Sequence, residues 1–132
     1  MKKILLIEDN EECRKMLTCI IGCLSYDVIQ ADFLNGTCRA TSEHPDLILI
    51  SLDFPRMWRL DVTASLKSNP QTADIPILVY PPRDSEAVTE AALNAGATEV
   101  LKEPFTLQSF RQALQKYASF DTGLTSELYA LQ

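Results

Sequence analysis

The chain has little of what several protein classes require. Its first apolar stretch, Ile4–Ile7, is only four residues long and ends at Glu8 and Asp9, which is too short for a signal peptide or a membrane span. Basic residues are also scarce. The chain has 12 Lys and Arg against 18 Asp and Glu, which gives a net charge of −6. A phosphate-tracking surface needs clustered Lys and Arg. We therefore expect a cytoplasmic protein that binds neither a membrane nor nucleic acid.

The sequence has a single histidine, His44, and no Cys-x-x-Cys pair. Its cysteines are Cys13, Cys19, Cys23 and Cys38, and the first three fall on one predicted helix. This pattern argues against a metal site, and one regular helix does not favour an internal disulfide. We expect reduced thiols that act as small apolar residues, with a redox-sensing Cys19/Cys23 pair as the alternative.

Short apolar strands and amphipathic helices alternate five times along the chain. The predicted strands span Lys3–Ile7, Tyr26–Ala31, Leu47–Ser51, Ile75–Tyr80 and Glu99–Lys102. The predicted helices span Asn10–Leu24, Leu34–Ser42, Arg59–Ser68, Ser85–Ala95 and Leu107–Ala118. This alternation predicts one α/β domain over residues 1–118, with a parallel sheet covered on both faces, and a tail or linker over 119–132. Asn10 is the predicted N-cap of the first helix, Gly36 is expected to weaken the second, and Gly96 to stop the fourth.

Four segments, ILLIEDN, PDLILISLDFPRM, IPILVY and AGATEVLKEPF, occur in this order between residues 4 and 105. Together they resemble the response-regulator receiver domain of two-component signalling, over residues 2 to about 118. The resemblance implies a flavodoxin-like (βα)5 fold, a doubly wound parallel sheet with strand order 2-1-3-4-5. In such sheets the site lies at the carboxyl ends of the strands.

Ser51 stands where this family places its phosphoacceptor aspartate. In receivers the acceptor lies four residues before a proline at the end of the third strand, and counting back from Pro55 gives Ser51. Choosing Asp53 would leave one residue before the proline instead of three. The resemblance therefore implies a receiver whose phosphorylation site is missing.

The rest of the pocket can be compared in the same way. Glu8 and Asp9 match the acidic pair that holds Mg²⁺ in the family, and Asp53 matches the position that offers a backbone carbonyl. A serine hydroxyl is neutral and needs a general base, whereas a carboxylate is already anionic at pH 7. We expect no base in reach, because His44 is predicted at the opposite end of the strand. Divalent binding at Glu8, Asp9 and Asp53 is expected to be weak or lost, with no cofactor required.

Three switch positions also depart from the family pattern. Pro81 replaces the hydroxyl residue at the end of the fourth strand, and Pro82 has no N–H to donate to a phosphoryl group. Glu103 precedes Pro104 where a lysine is usual, and Lys102 is expected to point to the other face. The peptide bond before Pro104 is predicted to be cis, as the resemblance implies. These changes predict a natural pseudo-receiver with degenerate Pro81, Pro82 and Glu103, and no catalytic residue.

Two surfaces are candidates for partner binding. Trp58 and Arg59 follow the third strand, and Trp and Arg are enriched at binding hot spots; the alternative is that Trp58 covers neighbouring apolar surface. Glu90, Glu99 and Arg111 fall on the helix 4–strand 5–helix 5 face, where receivers commonly meet partners or a second copy, although such charges are usually just solvated.

The predicted function is signal transduction through protein–protein binding, without phosphotransfer, with a histidine kinase or another regulator as partner and a homodimer possible. One alternative is a phosphorylatable single-domain regulator that uses Asp53 as a displaced acceptor. Another is a ligand- or redox-sensing module. Leu124, Leu128 and Leu131 lie at helical spacing in the tail, which is compatible with a docking segment, a linker or a frayed end.

Overall fold

A computed structural model describes residues 2–52, 60–80, 86–101 and 106–119. Its strands are β1 (Lys3–Ile7), β2 (Asp27–Ala31), β3 (Leu47–Ser51), β4 (Ile77–Tyr80) and β5 (Glu99–Val100). Its helices are α1 (Glu11–Cys23), α2 (Gly36–Glu43), α3 (Leu60–Ser68), α4 (Glu86–Asn94) and α5 (Leu107–Tyr117). All pairings are parallel and the strand order is β2-β1-β3-β4-β5. The predicted flavodoxin-like fold is confirmed.

The two central strands, β1 and β3, are almost wholly aliphatic. Every residue of Leu47–Ser51 is buried, and so are Ile4–Ile7. Unbroken apolar runs of this kind suit strands covered on both faces, because no side chain alternates towards water. The buried sheet therefore fixes the positions of the residues that directly follow β1 and β3.

Alternate strand residues divide the core into two layers. Ile4 and Leu6 face the layer that Leu17 and Ile21 of α1 share with Leu114 of α5. On the opposite face of the sheet, residues of α2, α3 and α4 complete the other layer: Ala40, Val62, Leu66, Val88 and Ala92. The amphipathic stripes of the helices therefore select the face that each helix covers.

The predicted helix signals at Asn10 and Gly96 are confirmed. Asn10 caps α1, since its Oδ1 accepts a hydrogen bond from the Cys13 N–H at 2.9 Å. After α4, Gly96 adopts φ +111° and donates its N–H to the Leu93 carbonyl at 3.1 Å. A positive φ is strained for residues with a Cβ, so glycine is well suited to the turn that ends α4.

The second helix begins two residues later than predicted, at Gly36 instead of Leu34. Asp32 and Asn35 exchange side-chain hydrogen bonds with the backbone of the preceding turn, which holds that turn out of the helix. A Cβ on Gly36 would lie 2.7 Å from Ile7 Cδ1. The glycine thus lets α2 start close against β1, a different role from the predicted weakening.

Other boundaries differ at the sheet edge and at the cysteines. β4 begins at Ile77, not Ile75, because Pro76 has no N–H for the ladder. β5 ends at Val100, although the Leu101 N–H still bonds the Val79 carbonyl at 2.8 Å. All four cysteines are free, but three are exposed and so do not fill the core as small apolar residues. Within the described ranges, no helix has the length and apolarity to cross a membrane.

Candidate signalling site at the carboxyl edge of the sheet

Strand register brings the ends of β1, β3 and β4 together. Ile7 pairs with Ile50, so Glu8 follows β1 beside the last residue of β3, Ser51. Ser51 in turn pairs with Tyr80, the last residue of β4. A hydroxyl and a carboxylate thus meet at one point of the sheet edge.

The Ser51 hydroxyl donates a hydrogen bond to Glu8 Oε1 at 2.9 Å. Both side chains are deeply buried, with only 2% of Glu8 and 5% of Ser51 exposed. The other carboxylate oxygen, Glu8 Oε2, accepts from the Asn10 N–H at 3.2 Å. Because an unpaired buried carboxylate is costly, these bonds explain how Glu8 is kept in the interior.

Asp9 is also engaged by the protein's own backbone. Its Oδ1 accepts the Phe33 N–H at 2.8 Å, which ties the end of β1 to the loop that follows β2. Arg14 approaches from α1, and its Nη1 donates to the Glu8 carbonyl at 2.7 Å. Glu8 and Asp9 therefore both stabilise the structure around the end of β1 through hydrogen bonds.

The expectation that no general base lies in reach of Ser51 is wrong. His44 is exposed at the C-cap of α2 and precedes β3, at the end of the strand opposite Ser51 as expected, but Glu8 accepts a hydrogen bond from the Ser51 hydroxyl. The single histidine lies far along the strand, whereas the register of β1 and β3 brings a carboxylate to the hydroxyl. The proximity of Glu8 to Ser51 thus has a chemical consequence that the sequence analysis missed.

The resemblance implies a Mg²⁺ ion at this edge of the sheet, but the side chains of Glu8, Asp9 and Ser51 do not fit such an ion. Mg²⁺ requires near-ideal octahedral geometry, usually with one or two carboxylates that are free to bind. Here both oxygens of Glu8 accept hydrogen bonds, one oxygen of Asp9 is bonded to Phe33, and Ser51 supplies a neutral hydroxyl. Among the residues that the structure describes, no three His, Cys, Asp or Glu side chains cluster as metal ligands.

Several predicted site residues lie outside the described residues and keep the status of predictions. They are Asp53, Trp58, Arg59, Pro81, Pro82, Lys102, Glu103 and Pro104.

A groove of about 530 Å³ opens on the face formed by α4, β5 and α5. It is lined by Thr89, Leu93, Thr98, Glu99, Val100, Leu101, Ser109, Gln112, Ala113 and Lys116. Of the three residues predicted for this face, only Glu99 lines the groove; Glu90 and Arg111 are exposed on α4 and α5 without lining it. Sequence reasoning missed Leu93 and Lys116. The available signals were an apolar residue three positions before Gly96 and a basic residue two positions after Leu114.

Glu99 and Lys116 form an ion pair across this groove. Lys116 Nζ lies 3.8 Å from Glu99 Oε2 and 5.3 Å from the centroid of the Tyr117 ring. Hydrogen bonding to the Tyr117 side chain, followed by the charge of Glu99, raises the pKa of Lys116. The groove therefore carries an exposed cation and a partly exposed glutamate, whose Oε2 atom is buried.

Five parallel strands in the order 2-1-3-4-5, with acidic residues at their carboxyl edge, define a flavodoxin-like α/β domain. Residues 4–115 match the family model of the response regulator receiver domain, and the chain belongs to this family. The domain is therefore a module of two-component signalling.

Among similar proteins is Response regulator MprA of Mycobacterium avium, 33% identical over 107 residues, which cover 80% of this chain and 46% of that protein. MprA of Mycolicibacterium vanbaalenii is 32% identical over 125 residues, which cover 92% of this chain and 53% of the relative. The chain thus spans about half the length of the curated relatives it matches.

Solved structures show the same fold. Chemotaxis protein CheY4 of Vibrio cholerae superposes with a TM-score of 0.78 at 24% identity, covering 89% of this chain and 98% of that one. The receiver domain of a Pseudomonas aeruginosa sensor histidine kinase, solved with a magnesium ion in its active site cleft, gives 0.77 at 23% identity, covering 88% and 96%.

Proposed function

We propose that this receiver domain is a pseudo-receiver, which acts in signal transduction by binding another protein and does not accept a phosphoryl group. The observation that carries the proposal is the 2.9 Å hydrogen bond from the buried Ser51 hydroxyl to the buried Glu8 carboxylate. Ser51 is taken as the phosphoacceptor-equivalent position, and no catalytic residue is assigned.

The hydrogen bond has two opposing effects on phosphotransfer to Ser51. A carboxylate base assists a serine nucleophile, but a phosphoryl group added here would lie against Glu8. A phosphoserine carries about −1.5 to −2 charge at pH 7, and two unit charges 4 Å apart repel by about 4 kcal/mol at an effective dielectric constant of 20. Arg14 donates to the backbone carbonyl of Glu8, and we expect the repulsion between the phosphoryl group and the Glu8 carboxylate to dominate.

The degenerate positions Pro81, Pro82 and Glu103 support the same proposal from the sequence. Pro81 and Pro82 offer neither a hydroxyl nor an N–H to a phosphoryl group, and Glu103 adds a negative charge where the family has a lysine. We propose that the domain requires no cofactor and that any binding of Mg²⁺ through Glu8, Asp9 and Asp53 is weak.

The test is incubation with a phosphohistidine donor and with an acyl phosphate in the presence of Mg²⁺, followed by intact-mass and peptide mass spectrometry. We expect no added phosphoryl group. A typical receiver with an acceptor aspartate serves as the positive control. Modification that persists in Asp53→Asn but is lost in Ser51→Ala would place the group on Ser51, and the reverse would establish the displaced acceptor; either result rejects the proposal.

We propose the groove between α4 and α5 as the main partner surface, with Trp58 and Arg59 as a second contact. The groove offers Glu99 and Lys116 as charged contacts and Leu93, whose side chain is 47% exposed, as an apolar one. Such a combination of apolar centre and charged rim is typical of protein interfaces. A histidine kinase, another regulator or a second copy of the domain would meet it.

The partner proposal is tested by a pull-down from the native organism with the intact protein as bait. Leu93→Asp and Trp58→Ala are expected to reduce capture of the same partner at least tenfold each, whereas Thr41→Ala, on the far face of α2, is expected to leave it unchanged. Equal capture by all variants would contradict the assignment of both surfaces.

A further inference from the structure

The outward face of α1 presents two thiols. Cys19 and Cys23 are both exposed, about one turn apart on the helix, while Leu17 and Ile21 are buried in the core. Surface helices normally carry charged residues on the outward side, yet residues 16–24 contain no charged side chain. The two thiols therefore stand at the surface in uncharged surroundings, and the proposed function leaves them without a role.

The two thiols are too far apart to bond to each other within α1. Cβ atoms four residues apart on a helix are separated by about 5 to 6 Å, whereas the Cβ atoms of a disulfide are about 3.5 to 4.5 Å apart. The end of α1 is fixed by hydrogen bonds from the Leu24 N–H to the Ile20 and Ile21 carbonyls at 3.2 and 3.1 Å. Since a bridge within α1 would have to distort this turn, a disulfide from either thiol requires a sulfur from outside α1.

A second copy of the chain supplies that sulfur with a matching geometry. Cys38, the other exposed cysteine, lies on α2, which covers the opposite face of the sheet from α1. Two copies of α1 packed antiparallel about a two-fold axis place Cys19 of each copy against Cys23 of the other, because such an interface repeats every contact. Packed helices lie about 8 to 10 Å apart, with each Cα about 2.3 Å from its axis. Facing Cα atoms can therefore reach the separation of a disulfide, about 4.4 to 6.8 Å.

A glycine beside the two thiols suits this close packing. Gly22 is exposed on α1, and a Cβ added there would meet nothing within 4 Å. Glycine lowers the helix propensity of this turn, but the missing side chain lets a second helix approach the backbone between Cys19 and Cys23. The surface around the thiols thus has neither bulk nor charge to keep another helix away.

Charges at the two ends of this face are complementary in the antiparallel arrangement. Lys15 and Asp27 are both exposed and lie equally far in sequence from Ile21, so each lysine comes level with the aspartate of the other copy. Lys15 Nζ lies 3.3 Å from Glu11 Oε1, but such an exposed pair is weak and does not prevent a new contact. The net charge of −6 on each copy opposes association. Covalent bonds are therefore needed to hold the two copies together.

We propose that Cys19 and Cys23 form a redox-sensitive dimerisation site, at which a peroxide joins two copies of the chain through two Cys19–Cys23 disulfides. In each bond, one thiolate attacks the peroxide and becomes a sulfenic acid with release of water. The thiolate of the other copy then attacks the sulfenic sulfur and releases a second water. Four thiols and two hydrogen peroxide molecules thus give two disulfides and four waters, and a thiol reductant reverses the linkage. The proposal is independent of the phosphorylation chemistry at Ser51.

The test treats the intact, reduced protein with hydrogen peroxide and follows it by non-reducing gel electrophoresis and intact-mass spectrometry. We expect a dimer whose mass is four hydrogen atoms below that of two chains and which dithiothreitol returns to monomer. Cys38→Ser, the matched control that removes an exposed thiol elsewhere, should dimerise like the wild type. Cys19→Ser and Cys23→Ser should each lower dimer formation at least tenfold, because every bridge loses one of its two sulfurs.

A mixture of the two single variants tests the crossed pairing. Unlabelled Cys23→Ser retains the thiol that faces the remaining thiol of ¹⁵N-labelled Cys19→Ser. The oxidised mixture should therefore contain dimers of mixed label with one disulfide, at least tenfold above the dimer formed by either variant alone.

A further variant separates helix packing from thiol reactivity. Gly22→Leu adds a side chain where the structure has open space, so the domain tolerates it, but it blocks the approach of a second α1. We expect dimer formation to slow at least tenfold, while iodoacetamide alkylates Cys19 and Cys23 at the rate of the wild type.

Four results would overturn the proposal. The first is oxidised protein that stays monomeric, whether it carries an internal disulfide or sulfinic acids. The second is a dimer that persists when Cys19 and Cys23 are both replaced by serine, or that is lost in Cys38→Ser. The third is equal dimer formation by a single variant and by the mixture, which would show bridges between like cysteines. The fourth is an unchanged rate of dimer formation in Gly22→Leu, which would show that α1 does not pack against a second α1.

Discussion

Two glutamates of one sheet, Glu8 directly after β1 and Glu99 at the start of β5, have contrasting environments. Glu8 is 2% exposed and each of its carboxylate oxygens accepts a hydrogen bond from a neutral donor of the same pocket. Glu99 is partly exposed and lines an open groove; its Oε2 atom is itself buried, accepts no hydrogen bond within the described residues and lies 3.8 Å from the ammonium group of Lys116.

The difference bears on the proposed partner surface. The polar groups of the Glu8 pocket bond mostly to one another, so that a ligand there would have to break existing hydrogen bonds. At the groove, Glu99 Oε2 accepts no hydrogen bond within the described residues. This contrast supports our proposal that a partner binds the α4–β5–α5 face and that the pocket does not take part in phosphotransfer.

The largest effect should come from a carboxylate placed in the closed pocket. Ser51→Asp would put a second carboxylate beside Glu8, and we expect the free energy of unfolding at pH 7 to fall by about 2 to 4 kcal/mol through like-charge repulsion in a buried site. The control Ser51→Asn has the same shape without the charge. Urea denaturation measures the free energy of unfolding of both variants. Equal values at pH 7 would show that water reaches the pocket and screens the two carboxylates.

Removing each glutamate in turn tests the comparison directly. Glu8→Ala leaves the Ser51 hydroxyl and the Asn10 N–H without their acceptor, and we expect a loss of about 2 kcal/mol in the free energy of unfolding. Glu99→Ala breaks a partly exposed ion pair and should cost about 0.5 kcal/mol or less. Chemical denaturation measures the free energy of unfolding of both variants. Similar losses of this free energy would show that the Glu8 pocket and the Glu99 groove do not differ as proposed.

The turn that bounds the groove can be tested with two glycines. Gly96→Ala forces a Cβ onto a residue at φ +111° and to 2.7 Å from Lys67 Cγ, so we expect a loss of about 1 to 2 kcal/mol. Gly22→Ala, at an exposed position of α1 with nothing near the added Cβ, should instead gain about 0.5 to 1 kcal/mol. Thermal unfolding measures both, and a neutral Gly96→Ala would mean that the turn relaxes easily.

The smallest effect concerns two lysines at alkaline pH. Burial lowers the pKa of Lys67, against a raising effect of Asp74, while Nζ donates to the Ala73 and Ile75 carbonyls. A folded pKa below the ordinary 10.5 means that stability rises as pH increases from that lowered value towards 10.5. Lys116 has a raised pKa, so its contribution is complete below 10.5 and is lost as pH rises through the folded value.

NMR titration of the two lysine side chains checks both directions. We expect the Lys67 signal to titrate below, and the Lys116 signal above, the value in an unfolded peptide. In Glu99→Ala the Lys116 shift should shrink while Lys67 is unchanged. An inverted order of the two titrations would contradict the assigned environments.

Much of the fold could be predicted from the sequence because it rests on local patterns. The aliphatic runs of Ile4–Ile7 and Leu47–Ile50 predicted strands covered on both faces, and Asn10 and Gly96 marked helix ends through their own chemistry. The start of α2 could not be predicted in this way, since it depends on the contact between Gly36 and Ile7 from another element.

The candidate site was only partly predictable. Counting residues to Pro55 placed Ser51 at the end of a strand near Glu8, but it could not show that the hydroxyl donates to that carboxylate. Nor could it show that the Asp9 carboxylate bonds the backbone of Phe33, 24 residues away. Such contacts depend on register between strands that are distant in the chain.

The sequence by itself determined the order of strands and helices and the substitution of a hydroxyl for an acidic residue at position 51, because periodicity, helix caps and residue identity are local properties. Only the tertiary structure decided that Glu8 is hydrogen-bonded within the pocket while Glu99 borders an open groove. The physical reason is that a carboxylate's environment is set by the elements packed around it, and parallel strands are brought together by crossovers that span many residues.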